Sequence, residues 1–148
     1  MPLRIVVADD NDAFLAAARD VLSASPGIEV VAAVTTGRLV LDTCDEHRPD
    51  VAVLDVQMPG GGTALAAEIA QRWPGTRIMC VSARDDADTA VAMLAAGATA
   101  YVAKGALDED LATCVRRCGD GMLFVIAGCA GDVRRRLAEL VGRSGQSR

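Results

Sequence analysis

Five short apolar runs, each followed by a helix-length stretch, constrain this chain more than any other feature. The runs are 4–8, 28–34, 51–54, 77–81 and 99–102. They are rich in β-branched residues and nearly continuous in apolar character. Strands buried on both faces read this way, as in a parallel sheet covered by helices on each side. The stretches that follow, about 12–24, 37–47, 63–72, 86–96 and 107–119, are amphipathic. Pro26-Gly27, Pro49, Pro74-Gly75 and Gly97 punctuate the first four of them. Five such repeats predict a doubly wound α/β fold built on a five-stranded parallel sheet flanked by five helices.

The chain of 148 residues is long enough to bury a core without disulfides or structural metal. Its division is expected to be one domain over 1–120 and a C-terminal extension over 121–148. Within the extension, Met122 to Ala127 is a dense apolar run between glycines. It would form either an exposed interface patch or a segment buried against its own sheet. Asp132 is expected to cap a short helix from Val133 to Val141, whose apolar face is Val133, Leu137, Leu140 and Val141. The tail 142–148 reads as disordered.

Several function classes are excluded early. A net charge of -5 and a pI near 4.8 make a poor non-specific binder of DNA or of anionic membrane. Arginines 134–136 are too few to reverse that on an acidic chain. Aromatics at 3% leave no stacking platform for single strands. The mean hydropathy of +0.27 is high, yet no uncharged stretch approaches the roughly 20 apolar residues of a membrane span. The expected location is cytoplasmic. The five cysteines (Cys44, Cys80, Cys114, Cys118, Cys129) fit it as free, buried thiols. The single histidine, His47, falls at a helix end, far from any strand end.

Ligands of a parallel α/β sheet bind beyond the carboxyl ends of its strands. Asp9 and Asp10 follow the first run, Asp55 the third, Ser82 the fourth and Lys104 the fifth. Three convergent carboxylates repel one another unless a cation relieves them. Oxygen ligands with open positions suit Mg²⁺, which retains waters and accepts phosphate oxygens beside it. A lysine and a hydroxyl next to that ion supply a point charge and a neutral donor for a phosphoryl group. One carboxylate could itself be the nucleophile. The residue types therefore point to metal-assisted phosphoryl transfer. Each residue also has a plain reading. Asp9 and Asp10 would suit the dipole of the first helix, although Asn11 and Asp12 can share that task. Asp55 could be an ordinary loop acid, Ser82 a strand-end hydroxyl and Lys104 a solvated lysine.

Taken together and in order, these segments resemble the receiver domain of two-component response regulators. The resemblance covers about residues 3–119. It rests on Asp9-Asp10, on Leu54-Asp55-Val56-Gln57-Met58-Pro59-Gly60, on Val81-Ser82-Ala83 and on Tyr101-Val102-Ala103-Lys104. It implies a flavodoxin-like sheet of order 2-1-3-4-5. It implies that Asp55 accepts a phosphoryl group from a sensor histidine kinase. Asp10 and Asp55 would bind Mg²⁺ directly, Asp9 through water, and the Gln57 backbone carbonyl would be a further ligand. Ser82 and Lys104 would hold phosphoryl oxygens. Ser82 and Tyr101 would form a switch pair, with Tyr101 turning inward as Ser82 is drawn to the phosphoryl group. Tyr101 could equally be a half-buried edge aromatic. Gln57 and Arg84 flank the approach of a hydrolytic water.

Gly119-Asp120-Gly121 and the helix after it are similar to the linker of receivers that precede a LuxR/NarL-type helix-turn-helix effector, which points to transcription regulation. A homodimer through the fourth helix, fifth strand and fifth helix is expected on the same ground. The extension is too short for such an effector, so a stand-alone receiver and the receiver part of a longer regulator both fit. Two alternatives are weaker. A pseudo-receiver that binds proteins without phosphorylation would not need the intact acidic set. A haloacid-dehalogenase-like phosphatase needs an Asp-x-Asp nucleophile motif after the first strand, and Asp55 has Gln57 two residues on, where that enzyme needs its general acid. The expectation is a switch and not an enzyme with an outside substrate.

Overall fold

The computed structural model describes residues 1–107 and 110–146, with side chains described as far as residue 142. Its sheet is parallel and has six strands in the order β2-β1-β3-β4-β5-β6. The strands are β1 (Leu3–Ala8), β2 (Ile28–Val34), β3 (Val51–Leu54), β4 (Arg77–Ser82), β5 (Ala100–Ala103) and β6 (Phe124–Ile126). The helices are α1 (Asp12–Ser23), α2 (Gly37–His47), α3 (Gly62–Arg72), α4 (Ala87–Ala96), α5 (Leu111–Gly119) and α6 (Ala130–Gln146). The five expected strands and their order are present, and a sixth is added at the β5 edge.

Alternation along the buried strands sorts their side chains into two cores. Ile5 and Val7 of β1, with Met79 and Val81 of β4, face Ala18 and Leu22 of α1 and Cys114, Val115 and Cys118 of α5. Val6 and Ala8, with Ile78 and Cys80, face Val40 and Cys44 of α2, Leu65 and Ile69 of α3 and Met93 of α4. All five cysteines are buried and outside any disulfide, so each fills space as a small, largely apolar side chain.

Local chemistry sets the helix starts. Asn11 caps α1 by accepting from the Phe14 N–H at 3.0 Å, so neither Asp9 nor Asp10 is its cap. Thr36 caps α2, Asp86 caps α4 and Asp110 caps α5. The fifth helix starts at Leu111 and not near residue 107, because Lys104–Ala106 forms a single 3-10 turn first. His47 ends α2, at the strand edge opposite the acidic residues, as expected.

The extension departs most from expectation in its detail. Of the two readings of Met122 to Ala127, packing against its own sheet holds: its centre is β6, which pairs in parallel with β5, Tyr101 opposite Val125. β5 is therefore an interior strand, and Tyr101 is fully buried and not a half-buried edge aromatic. α6 begins at Ala130, three residues before the expected start, so Asp132 lies in its first turn and is not its cap. The helix also runs through most of the tail expected to be disordered, and residues 147 and 148 lie outside the described residues. β6 and α6 lie against β5 and α4, on the face expected to carry a homodimer.

Candidate functional site

Parallel pairing places the carboxyl ends of β1, β3, β4 and β5 on one edge of the sheet. Asp9 and Asp10 follow β1, Asp55 follows β3, Ser82 ends β4 and Lys104 follows β5. The carboxylates of Asp9, Asp10 and Asp55 each offer an oxygen within 4.8 Å of the others. Asp9 and Asp55 are buried, at 1% and 6% exposure, while Asp10 faces solvent.

Each member is held by its neighbours. Asp9 Oδ1 accepts from the Asn11 N–H at 2.8 Å. Asp9 Oδ2 lies 2.7 Å from the Lys104 ammonium. That contact is ionic and poorly aligned, since this buried oxygen takes no hydrogen bond. Lys104 Nζ also sits 4.1 Å from the centre of the Phe14 ring, which steers it from α1. Asp55 Oδ1 accepts from the Gln57 N–H at 3.3 Å, which turns the loop after β3 back over the site. Ser82 is fully buried, and its Oγ accepts from the Arg84 N–H at 3.1 Å. The Tyr101 hydroxyl donates to the Arg84 carbonyl at 2.7 Å. Tyr101 is thus held in an inward position by the main chain of the loop after β4. Gln57 and Arg84 are both solvent-facing at the site's rim.

Burial pushes the Asp55 carboxyl up from 3.8 to about 6, helped by the Asp9 charge and opposed by the Gln57 N–H and Lys104. The folded state therefore favours the protonated acid. Ionised Asp55 opposes folding fully above about pH 6, and the penalty disappears as pH falls toward 3.8.

These observations answer whether a divalent cation fits. A buried carboxylate oxygen met by one ammonium but by no hydrogen bond, a second acid whose charge is resisted, and a third acid open to solvent set three carboxylates against one lysine. Opposite ligands of Mg²⁺ stand about 4.2 Å apart. A set spread over 4.8 Å suits an ion that keeps part of its water. The arrangement can hold a hydrated divalent cation beside a nucleophilic carboxylate, an ammonium and a hydroxyl.

The sequence-derived set Asp9, Asp10, Asp55, Gln57, Ser82 and Lys104 is thus gathered in one place. Phe14 and the Arg84 carbonyl were not foreseen, and neither leaves a sequence signal of its own. Asp85, also unforeseen, joins the loop after β4 to the chain entering α6. It accepts from the Gly128 and Cys129 N–H groups at 2.7 and 2.8 Å.

Residues 5–116 match the response regulator receiver domain. The oxygen regulatory protein NreC of Staphylococcus epidermidis is 34% identical over 125 residues, which are 83% of this chain and 57% of that protein. NarL of Mycobacterium tuberculosis, described as a transcriptional regulatory protein, is 32% identical over 92% of this chain and 65% of its own length. The chain therefore spans less than two thirds of these relatives. The solved signal receiver domain of that NarL superposes with a TM-score of 0.76 at 31% identity, covering 81% of this chain and 98% of that one.

Proposed function

This chain belongs to the response regulator receiver domain family, in its NarL and NreC branch, and from that premise we propose that it is a Mg²⁺-dependent phosphoryl switch whose acceptor is Asp55. One observation carries the reading. The carboxylates of Asp9, Asp10 and Asp55 meet within 4.8 Å beside the Lys104 ammonium.

A sensor histidine kinase is the proposed donor. The Asp55 carboxylate attacks the phosphorus of its phosphohistidine. An O–P bond forms as the P–N bond breaks, and the electron pair leaves with the imidazole nitrogen. Lys104 pairs with one phosphoryl oxygen, and the Ser82 hydroxyl donates to another. Asp10, Asp55 and the Gln57 carbonyl would hold Mg²⁺, with Asp9 reaching it through water. A bound ion would supply charge neutralisation for the transferring phosphoryl group. Gln57 and Arg84 border the path of a hydrolytic water. The proposed turnover is slow self-dephosphorylation, with no outside substrate.

The transcriptional regulatory name of NarL supports transcription control as the output, with no direct nucleic-acid contact by this acidic chain. Among the described residues no helix is long and apolar enough to cross a membrane. Five buried cysteines outside any disulfide support a cytoplasmic place of action. A phosphorylation-independent pseudo-receiver is disfavoured, because it would have no need to bury Asp55 at an energetic cost.

Melting curves test the metal part. Without Mg²⁺ at pH 7.5, Asp55→Asn is expected to be more stable than wild type by about 1–3 kcal/mol. That gain shrinks as pH falls toward 4. Mg²⁺ at about 100 times its Kd stabilises wild type by about 2.7 kcal/mol. This raises its melting temperature by about 5–10 °C, and leaves Asp55→Asn nearly unmoved. Equal Mg²⁺ responses in the two proteins would contradict the site.

A further inference from the structure

We propose that residues 122–146 are an intramolecular strap over the α4–β5 face, latched by Asp85 and released when a phosphoryl group on Asp55 draws Ser82 toward it. The proposal rests on the phosphoryl-switch reading above.

The latch is built on the loop that leaves the site. Ser82 ends β4, and Arg84, Asp85 and Asp86 follow before α4 begins at Ala87. Asp85 is solvent-facing, yet both its oxygens are engaged by main-chain N–H groups just ahead of α6. Oδ2 takes Gly128 and Oδ1 takes Cys129. The Cys129 thiol and those two N–H groups hold the Asp85 carboxyl below the usual carboxylate range, so it is ionised and accepts strongly. Gly128 allows the approach: a Cβ there would stand 2.9 Å from Asp85 Oδ2. Lower down the helix, Arg136 pairs with Asp88 of α4.

The strap covers a defined surface. β6 occupies the open edge of β5, and Val133 and Cys129 are buried against α4 and its neighbours. Its hold is limited. Leu123, Leu137, Leu140 and Val141 remain 75%, 40%, 49% and 73% exposed. An apolar groove of about 520 Å³ stays open where Leu94, Leu123, Val133 and Leu137 approach one another. A segment with few buried contacts opens more readily than the core.

The site reaches the latch through three residues. Ser82 Oγ now accepts from the Arg84 N–H, and the Arg84 carbonyl accepts from Tyr101. A hydroxyl donates and accepts at once, so it is the displacement of Ser82 Oγ toward a phosphoryl oxygen that breaks its bond with the Arg84 N–H and shifts the loop. Asp85 moves with it and leaves the Gly128 and Cys129 N–H groups. The freed β5 edge and α4 surface then become available to a partner, including the homodimer that the strap now blocks.

Hydrogen exchange followed by mass spectrometry tests this on the full chain, with the intact mass read in parallel. On incubation with acetyl phosphate and Mg²⁺, amides of 124–135 are expected to exchange about tenfold faster or more, within the usual range of coupling between sites. The amides of β1, β3 and β4 stay protected. Asp85→Ala is expected to show the same acceleration without any phosphoryl donor. An adduct with unchanged exchange in 124–135 would overturn the release alone. Unchanged exchange in Asp85→Ala would overturn the latch. Absence of any adduct would overturn the phosphoryl-switch reading and the release with it.

Discussion

Lys104→Met is expected to slow phosphoryl acceptance by about two to three orders of magnitude and to weaken the fold. The ammonium of Lys104 stands 2.7 Å from Asp9 Oδ2, a buried oxygen with no hydrogen bond. Removing it strands a carboxylate that is 1% exposed. Breaking a fully buried pair costs about 3–5 kcal/mol. Lys104 keeps 22% of its side chain in water, which argues for the lower part of that range or somewhat less, about 2–3 kcal/mol. Methionine keeps most of the aliphatic stem and removes the ammonium, with its contacts to Asp9 and the Phe14 ring, so the loss reports charge and not volume. Mg²⁺ separates the two effects. It can neutralise the acidic cluster and restore much of the stability. It does not occupy the position from which the ammonium reaches a phosphoryl oxygen, so the rate stays low. Denaturant titrations with and without Mg²⁺, beside a time course of adduct formation, measure both. A Lys104→Met protein that is phosphorylated at the wild-type rate would contradict the role given to this residue.

Gly37→Ala is expected to destabilise the protein by about 3 kcal/mol, with a fall in melting temperature of about 6–12 °C. Gly37 opens α2, and its N–H donates to the Pro59 carbonyl at 2.8 Å. A Cβ on Gly37 would lie 1.9 Å from the Gly60 carbonyl oxygen and 2.5 Å from the carbon behind it. Both are main-chain atoms, so no flexible side chain can yield. The whole Met58–Gly61 turn must move. That turn continues from Asp55 and Gln57, whose 3.3 Å hydrogen bond aims the carboxylate proposed as acceptor. Phosphoryl acceptance should therefore fall with stability. Gly75→Ala is the control, because its added carbon meets nothing within 4 Å. Its stability should stay within about 0.5 kcal/mol of wild type. Equal behaviour of the two variants would refute the tight contact between α2 and the turn.

The five βα units were legible because buried parallel strands write themselves as continuous β-branched runs, and because proline and glycine mark the helix ends. The site was legible for a related reason. A parallel sheet delivers every strand's carboxyl end to one edge, so Asp9, Asp10, Asp55, Ser82 and Lys104 could be grouped without coordinates. What escaped depends on contacts far apart in sequence. β6 is only Phe124–Ile126, too short to show a period, and it is a strand because β5 leaves an edge beside it. That one pairing also turned Tyr101 from an edge residue into a buried one. The start of α6 was misplaced because the carboxylate at its entry is Asp85, more than forty residues upstream, and not the nearby Asp132. The fifth helix began late because Lys104–Ala106 closes a 3-10 turn before Asp110 can cap.

The most direct test of the central claim is the intact mass of the protein after incubation with Mg²⁺ and acetyl phosphate, for wild type and for Asp55→Asn. The predicted result is a single phosphoryl adduct on wild type that requires Mg²⁺ and is absent from Asp55→Asn. A wild-type chain that stays unmodified, or an Asp55→Asn chain that takes up the group as readily, would contradict the assignment of Asp55 as the phosphoryl acceptor.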